Sequence, residues 1–378
     1  MIPDFHEVSA ERARERQRSL TKPPGSLGRM EELAVWYAGV RGRFPVEVPE
    51  RGELVVFAAD HGVAVEGVSR YPAAVTAAMV NNFRAGGAAV CVLARQAGLG
   101  LTVVDVGVAG PRFLGDAEPR PGPGPSVAAA QPPSDLGGAA PDPVDHVAVR
   151  FVDARIRSAT GNLVREPAMT LDEVERALEV GRRCAREAIS RGNEFLVGGE
   201  MGIGNSTAAA ALICALGGGP PAEVVGHGTG IDAPTWRHKV DVVEAALARH
   251  RLDGAPPSRA LAAVGGLEIA CLAGLMLEGA EHRIPTIVDG FIAGAAALAA
   301  LRLAPALRPF LLLSHLSAER GARRLAELLG GPPPLLELGL RLGEGTGAVL
   351  VVPLLRSAVA LQNQMATFGE AAVPDGAP

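Results

Sequence analysis

Residues 53–62 read ELVVFAADHG, seven mostly apolar residues closed by an acid, a histidine and a glycine. An apolar run this short, with no polar alternation, is the pattern of a strand buried on both faces. LTVVDVG (101–107), FLVGGE (195–200), IPTIVDG (284–290) and PFLLLSH (309–315) repeat it, and amphipathic stretches such as 73–97 lie between them. Buried strands alternating with helices predict a parallel α/β sheet covered by helices on both sides, a Rossmann-like fold. In such sheets ligands bind outside the carboxyl ends of the strands. Asp60, Asp105, Glu200, Asp289 and Ser314 are therefore expected along one edge.

The flanks predict a second, smaller unit. Residues 4–20 have the charge pattern of an exposed helix, and the turn TKPPGS (21–26) separates it from a helix at about 27–42 that Ser26 is placed to cap. A terminal helix at about 353–370 would pack beside them. The expected division is a large domain over 45–352 and a helical lobe from 1–44 with 353–378. Residues 110–146 are rich in Pro and Gly, which predicts a flexible insertion, and the tail from Asp375 is expected to be disordered. TLDE at 170–173 is a capping box for a helix to about 191, with Met169 and Val174 as its staple.

Composition narrows the function. A net charge of −5 offers no field for nucleic acid or an anionic membrane. No apolar run reaches the roughly 18 residues of a membrane span, and the charged N-terminus has no signal core, so neither anchor nor leader is expected. The four cysteines (91, 184, 214 and 271) form no CxxC pair, the usage of a reducing cytoplasm. Only Lys22 and Lys239 are lysines.

GGEMGIGNST (198–207) runs from a strand into a helix. Its glycines expose backbone N–H groups at a helix N-terminus, where an anion is favoured; a plain strand-to-helix turn needs fewer of them. No GK[ST] follows, so it is no Walker A loop, and the third glycine of GxGxxG is missing. Gly202, Ile203, Gly204, Asn205 and Ser206 are the candidate phosphate cradle. GHGTGID (226–232) supplies a second approach through Gly228, Thr229 and Gly230, and Lys239 a point charge, although a solvated lysine on a helix face is equally compatible. LRLGEGTGAVLVVPLL (340–355) repeats the GxGTG pattern and sets Glu344 among glycines and apolar residues. That pattern suits a general base beside Gly343, or equally a tight turn. Tyr71, Val75, Met79 and Phe83 share a helix face that is either core or the wall of a flat apolar ligand site. No HExxH or GxSxG occurs, so metal and serine-hydrolase chemistry lack support, and Asp60–His61 suits a structural hydrogen bond.

Taken together, TKPPGSLGRMEELA, AADHGV, GVSRYPAAVT, VDVGVAG, EPAMT, GGEMGIGNST, GHGTGID, GGLEIACLAG, DGFIAGAAAL, SHLSAERGA, LRLGEGTGAVL and MATF, in this order over about residues 20–370, resemble the nicotinate-nucleotide–dimethylbenzimidazole phosphoribosyltransferase family of cobalamin lower-ligand synthesis. The resemblance implies a Rossmann-like domain with a helical lobe built from both termini, a homodimer, small-molecule substrates and no cofactor or metal. It implies transfer of 5-phosphoribose from nicotinate mononucleotide to 5,6-dimethylbenzimidazole, giving α-ribazole 5′-phosphate and nicotinate. The family's base matches Glu344, its phosphate loops match Gly202–Ser206 and Gly228–Gly230, and its phosphate-region lysine matches Lys239. In the benzimidazole pocket one family branch has serine and glutamine where this chain has Tyr71 and Met79. Glu200 is expected to touch the ribose or the bases. The alternatives are a transferase for another base, and a nucleoside- or benzimidazole-binding protein without turnover.

Overall fold

The computed structural model describes residues 1–113 and 149–374. Six parallel strands form one sheet in the order β3–β2–β1–β4–β5–β6, the doubly wound Rossmann order. They are β1 (Gly52–Ala59), β2 (Gly100–Gly107), β3 (Val149–Asp153), β4 (Phe195–Met201), β5 (Thr286–Val288) and β6 (Leu311–Leu313). Every residue of β1 is buried. Val55, Phe57 and Ala59 enter the core on one face, and Leu54, Val56 and Ala58 the core on the other. A strand that supplies both cores cannot carry polar residues at alternate positions, which explains its continuous apolar run.

Helices α1 (Glu7–Ser19), α2 (Arg29–Arg41), α3 (Val75–Arg84), α4 (Ala89–Gln96) and α13 (Thr346–Gln364) contribute to the core around Leu54 and Val56. The opposite core is built by α5 (Leu171–Ser190), α6 (Asn205–Gly217), α7 (Pro221–Val224), α8 (Ala233–His250), α9 (Pro257–Val264), α10 (Leu267–Glu281), α11 (Phe291–Leu303) and α12 (Ala322–Leu329). A short α14 (Phe368–Ala371) ends the described chain. α13 is long and apolar enough to cross a bilayer, but ten of its residues are buried within the fold.

Local chemistry explains where the elements depart from the sequence expectation. The single helix expected at 73–97 is broken between α3 and α4, because Gly86 takes a left-handed φ of 72° and Ala88 is extended. The break lets α4 start afresh, with free N–H groups in its first turn. α2 begins at Arg29 behind Gly28, not behind Ser26, while Leu27 N–H donates to Glu31, which also pairs with Lys22 at 2.8 Å. Lys22 is thereby spent on structure. β5 and β6 are shorter than expected because Pro285 and Pro309 cannot donate to a ladder. β3 is an additional strand: at the sheet edge it is only partly buried, and its sequence VRFVD lacks the continuous apolar signal. The capping box at Thr170–Glu173 is present and starts α5. The terminal helix starts at Thr346 and runs unbroken past 352, with Pro353 inside it. The insertion expected at 110–146, from residue 114 onward, and the tail from Asp375 lie outside the described residues.

Candidate active site

β1 and β4 are neighbours, and their chains leave toward opposite sides of the sheet, so a crevice opens at their carboxyl ends. The turn after β4 fits only glycine: a Cβ on Gly202 would stand 2.2 Å from the Ala59 carbonyl oxygen. Ile203 N–H donates to the buried Thr76 hydroxyl at 3.1 Å, and Thr76 in turn donates to Asp60. Gly204, at φ 97°, caps α6, so the helix starts at Asn205, earlier than expected. Its first residues then face the crevice. Asn205 donates its amide N–H to Glu200, and Ser206 accepts from Lys239 Nζ at 2.9 Å.

The 226–232 loop closes over them. A Cβ on Gly228 would lie 2.9 Å from Ser206 Oγ and 3.1 Å from Lys239 Nζ, so the loop can approach the ammonium only without a side chain. Arg341 donates to the Gly228 carbonyl at 2.9 Å, and Thr229 Oγ1 accepts from Arg70 N–H at 3.1 Å. Gly230 turns the chain away at φ 88°. Lys239 is 1% exposed, and burial lowers its pKa to about 8, with the Glu319 carboxylate opposing the fall. A helix N-terminus, a hydroxyl, a glycine backbone and an ammonium meet at one place, which is what a phosphate needs.

The other wall is the 343–345 loop. Gly343, Glu344 and Gly345 all lie in the left-handed region, with φ of 84°, 64° and 93°. A Cβ on Gly343 would stand 2.3 Å from Glu200 Oε1, and one on Gly345 2.7 Å from Leu54 Cδ1. Asp289 fixes the loop: Oδ2 accepts from Gly345 N–H at 3.2 Å and Oδ1 from Ala348 N–H at 3.0 Å. Asp289, expected as a ligand residue, is therefore first the cap of α13. Glu344 is 5% exposed and takes a backbone hydrogen bond from Val90 in the first turn of α4, while its Oε2 has no partner. Burial raises its pKa to about 7, and the Asp289 charge adds to the rise. Glu200 goes further, to about 8, through burial and then the charges of Glu268, Asp289 and Glu344.

Between the two walls lies a cavity of about 350 Å³. Tyr71, Glu200, Asn205, Ser206, Gly228, Thr229, Asp289 and Gly343 line it. Gly202, Ile203 and Gly204 form the turn that leads into its wall, and Lys239 stands directly behind Ser206. Glu344 follows Gly343 in the loop but is not itself among the cavity's lining residues; its carboxyl lies behind them, on the α4 side. Met79 is half-buried on α3, and Phe83 is fully buried in the core, so neither is among the cavity's lining residues. Ser314 is also fully buried; its hydroxyl lies 3.0 Å from His315 Nδ1 and 3.4 Å from the Asp289 carbonyl oxygen. Asp60 and Asp105 sit at the expected edge but are used internally. Ala109 N–H donates to Asp60 at 2.8 Å, and Arg155 grips Asp105 at 2.7 Å. A larger hollow of about 500 Å³, beside Lys22 and Trp36, shares none of these loops.

Sequence reasoning missed His315, Ser317, Glu319 and Arg341, which also line the cavity. The first three follow β6 directly, so the rule that sites form at strand ends could have drawn them in.

The family model described as phosphoribosyltransferase matches residues 2–373. A nicotinate-nucleotide–dimethylbenzimidazole phosphoribosyltransferase of Chromobacterium violaceum is 49% identical over 361 residues, 96% of this chain and 94% of its own. A protein of the same name from Salinispora tropica is 46% identical over 373 residues, 98% and 97% of the two chains. The crystal structure of a nicotinate-nucleotide-dimethylbenzimidazole phosphoribosyltransferase from Thermus thermophilus superposes with a TM-score of 0.84 at 44% identity, covering 100% of both chains.

Proposed function

The chain belongs to the nicotinate-nucleotide–dimethylbenzimidazole phosphoribosyltransferase family, and we propose that it moves 5-phosphoribose from nicotinate mononucleotide to 5,6-dimethylbenzimidazole with Glu344 as the base. The observation that carries this reading is the pairing of a built anion cradle with one buried carboxyl poised near pH 7. Ser206, the Gly228–Gly230 backbone and Lys239 take the 5′-phosphate, and Gly202–Gly204 set the start of α6 toward it. Holding the phosphate fixes the sugar, so C1′ stands between its two bases and much of the barrier is met by positioning.

The chemistry asks little more of the protein. The pyridinium ring of the donor departs with the electrons of its C–N bond as neutral-ring nicotinate, so no acid is required. The sugar centre gains oxocarbenium character, and a benzimidazole nitrogen forms the new C–N bond. Its partner N–H proton passes to Glu344 Oε2, the oxygen without a hydrogen bond. A carboxyl with a pKa of about 7 is ionised enough to take that proton at neutral pH and basic enough to keep it. Glu200, held near 8, is largely protonated there and donates a hydrogen bond to the sugar or a base. Tyr71, which lines the cavity, is placed to meet the acceptor ring, and its identity would tune which base is taken, with Met79 on α3 outside the lining residues.

We assign the protein to the cytoplasm as a homodimer. The four cysteines are free and buried, in keeping with a reducing compartment, and the apolar Tyr71 and Leu342 at the cavity are 49% and 58% exposed, surface a second copy would cover. The small lobe of 1–44 with 353–378 is supported by α1 and α13, which both pack on α2.

Mixing the enzyme with nicotinate mononucleotide and 5,6-dimethylbenzimidazole, followed by chromatography, should give nicotinate and α-ribazole 5′-phosphate in equal amounts. Absence of nicotinate release would overturn the assignment. A panel of benzimidazoles, adenine and phenols ranks the acceptors in the same assay. Glu344→Ala should abolish turnover and keep nucleotide binding; a near-wild-type rate would remove Glu344 as the base.

A further inference from the structure

Behind the glycine turn lies a buried pair that the reaction above does not use. His61 follows β1, and its Nε2 lies 2.7 Å from Oε1 of Glu268 in the first turn of α10; neither side chain is exposed. Three glycines enclose the ring. A Cβ on Gly202 would stand 3.3 Å from His61 Cδ2, one on Gly204 3.2 Å from its Cβ, and one on Gly266 2.5 Å from its Cε1. His61 is thus the object against which the phosphate turn is seated. The pair is also incompletely satisfied, because His61 Nδ1 and Glu268 Oε2 are buried without partners. Buried polar atoms without partners are costly, so an apolar pair of the same shape would serve stability better.

We propose that His61 and Glu268 act on the reaction without touching substrate: the ring props the Gly202–Gly204 turn from behind, and Glu268, 2.7 Å from Nε2, holds the ring in that place. Both lie outside the cavity's lining residues and the 343–345 loop, so they take no space that substrate needs. Both are positioning residues.

The KM readout rests on the phosphoribosyl-transfer reading; the prop rests on the turn alone. The test uses the whole protein with His61→Ala, Glu268→Ala and Glu268→Gln, titrating inorganic phosphate by calorimetry and measuring kcat and KM for nicotinate mononucleotide. His61→Ala should weaken phosphate by about tenfold and raise KM more than it lowers kcat, the result of a displaced cradle. Glu268→Ala should weaken phosphate in the same direction, whereas Glu268→Gln retains an acceptor for Nε2–H and should stay within about twofold of the wild type. Unchanged phosphate affinity in a folded His61→Ala overturns the prop, and unchanged affinity in Glu268→Ala overturns the share of Glu268. Should His61→Ala fail to fold, His61→Asn, which can still donate to Glu268, decides the prop by the same titration. A wild type that releases no nicotinate sinks the function reading, while the phosphate titration still decides the prop.

Discussion

Replacing Glu344 by glutamine should make the protein inactive and, above neutral pH, more stable. The carboxyl has an ordinary value of 4.5 and is raised to about 7 in the fold, chiefly because burial penalises its charge. A folded-state value above the unfolded one means that the folded protein binds the extra proton. That contribution is fully present below pH 4.5 and is lost as pH rises through 7. At pH 8 the folded protein therefore carries the whole cost of an ionised Glu344, about 3 kcal/mol for a gap of this width. Glutamine is neutral at every pH and its carbonyl can still accept from Val90 N–H. Its amide nitrogen takes the place of the unpartnered Oε2 and leaves an orphan donor worth about 1 kcal/mol.

The net expectation is a gain of about 2 kcal/mol at pH 8; at pH 5, where ionisation of the unfolded carboxyl already costs the wild type about 0.8 kcal/mol, the two effects nearly cancel. For 378 residues the unfolding entropy near the midpoint is about 0.8 kcal/mol per degree, so Tm should rise by about 2–3 °C at pH 8. It should stay within about 0.5 °C of the wild type at pH 5, with turnover reduced by about 10² to 10⁴ at both. Scanning calorimetry on wild type and Glu344→Gln at the two pH values reads the difference directly. A Tm shift of the same sign and size at pH 5 and pH 8 would refute the reasoning, because a burial-raised carboxyl cannot be indifferent to pH.

The remaining expectations bear on the same site. kcat/KM should rise through about pH 7 as Glu344 ionises and fall beyond about pH 8 as Glu200 and Lys239 each lose a proton; a profile still climbing at pH 9.5 contradicts both assignments. Lys239→Met should raise KM for the nucleotide by about 10- to 100-fold with a smaller effect on kcat, since it removes the charge-assisted contact to phosphate; kinetics equal to wild type would place the phosphate elsewhere. Gly343→Ala puts a Cβ 2.3 Å from Glu200 Oε1 at a φ of 84°, so kcat should drop by about 10² while urea unfolding changes by about 1–3 kcal/mol; unchanged kinetics would show slack in the loop. Thr76→Val strands Ile203 N–H and removes a donor to Asp60, and should cost about 1–3 kcal/mol in urea unfolding along with a higher KM.

The sheet was legible because β1 is buried in two cores and so writes an unbroken apolar run, whereas β3 lends only partly buried residues to the margins of both and escaped notice. The glycine loops were legible for a related reason. Close backbone approach leaves no substitute for glycine, and Gly202, Gly228 and Gly343 each stand where a Cβ would strike a neighbour. What could not be read is which side chain meets which. Lys239 and Ser206 are 33 residues apart, His61 and Glu268 are 207 apart, and no local spacing marks either pair. Phe83 misled because a stripe on a helix face looks alike whether it covers a ligand or a core.

Glu344 itself shows how little of a site a motif contains. GEGTG gives the residue and its freedom to turn, but not the conformation: a non-glycine at φ 64° costs of order 1 kcal/mol and persists only where its surroundings over-determine it. Here they do so from three directions. Asp289 accepts from Gly345 and Ala348, the Thr346 hydroxyl and N–H both donate to the Gly343 carbonyl, and Val90 N–H holds one carboxyl oxygen. That last donor exists only because Gly86 ends α3 and lets α4 start again. Two distant features, the acid after β5 and the break between helices, therefore aim one carboxyl. Glycine at 344 would relieve the backbone and leave the same turn with nothing to receive the proton.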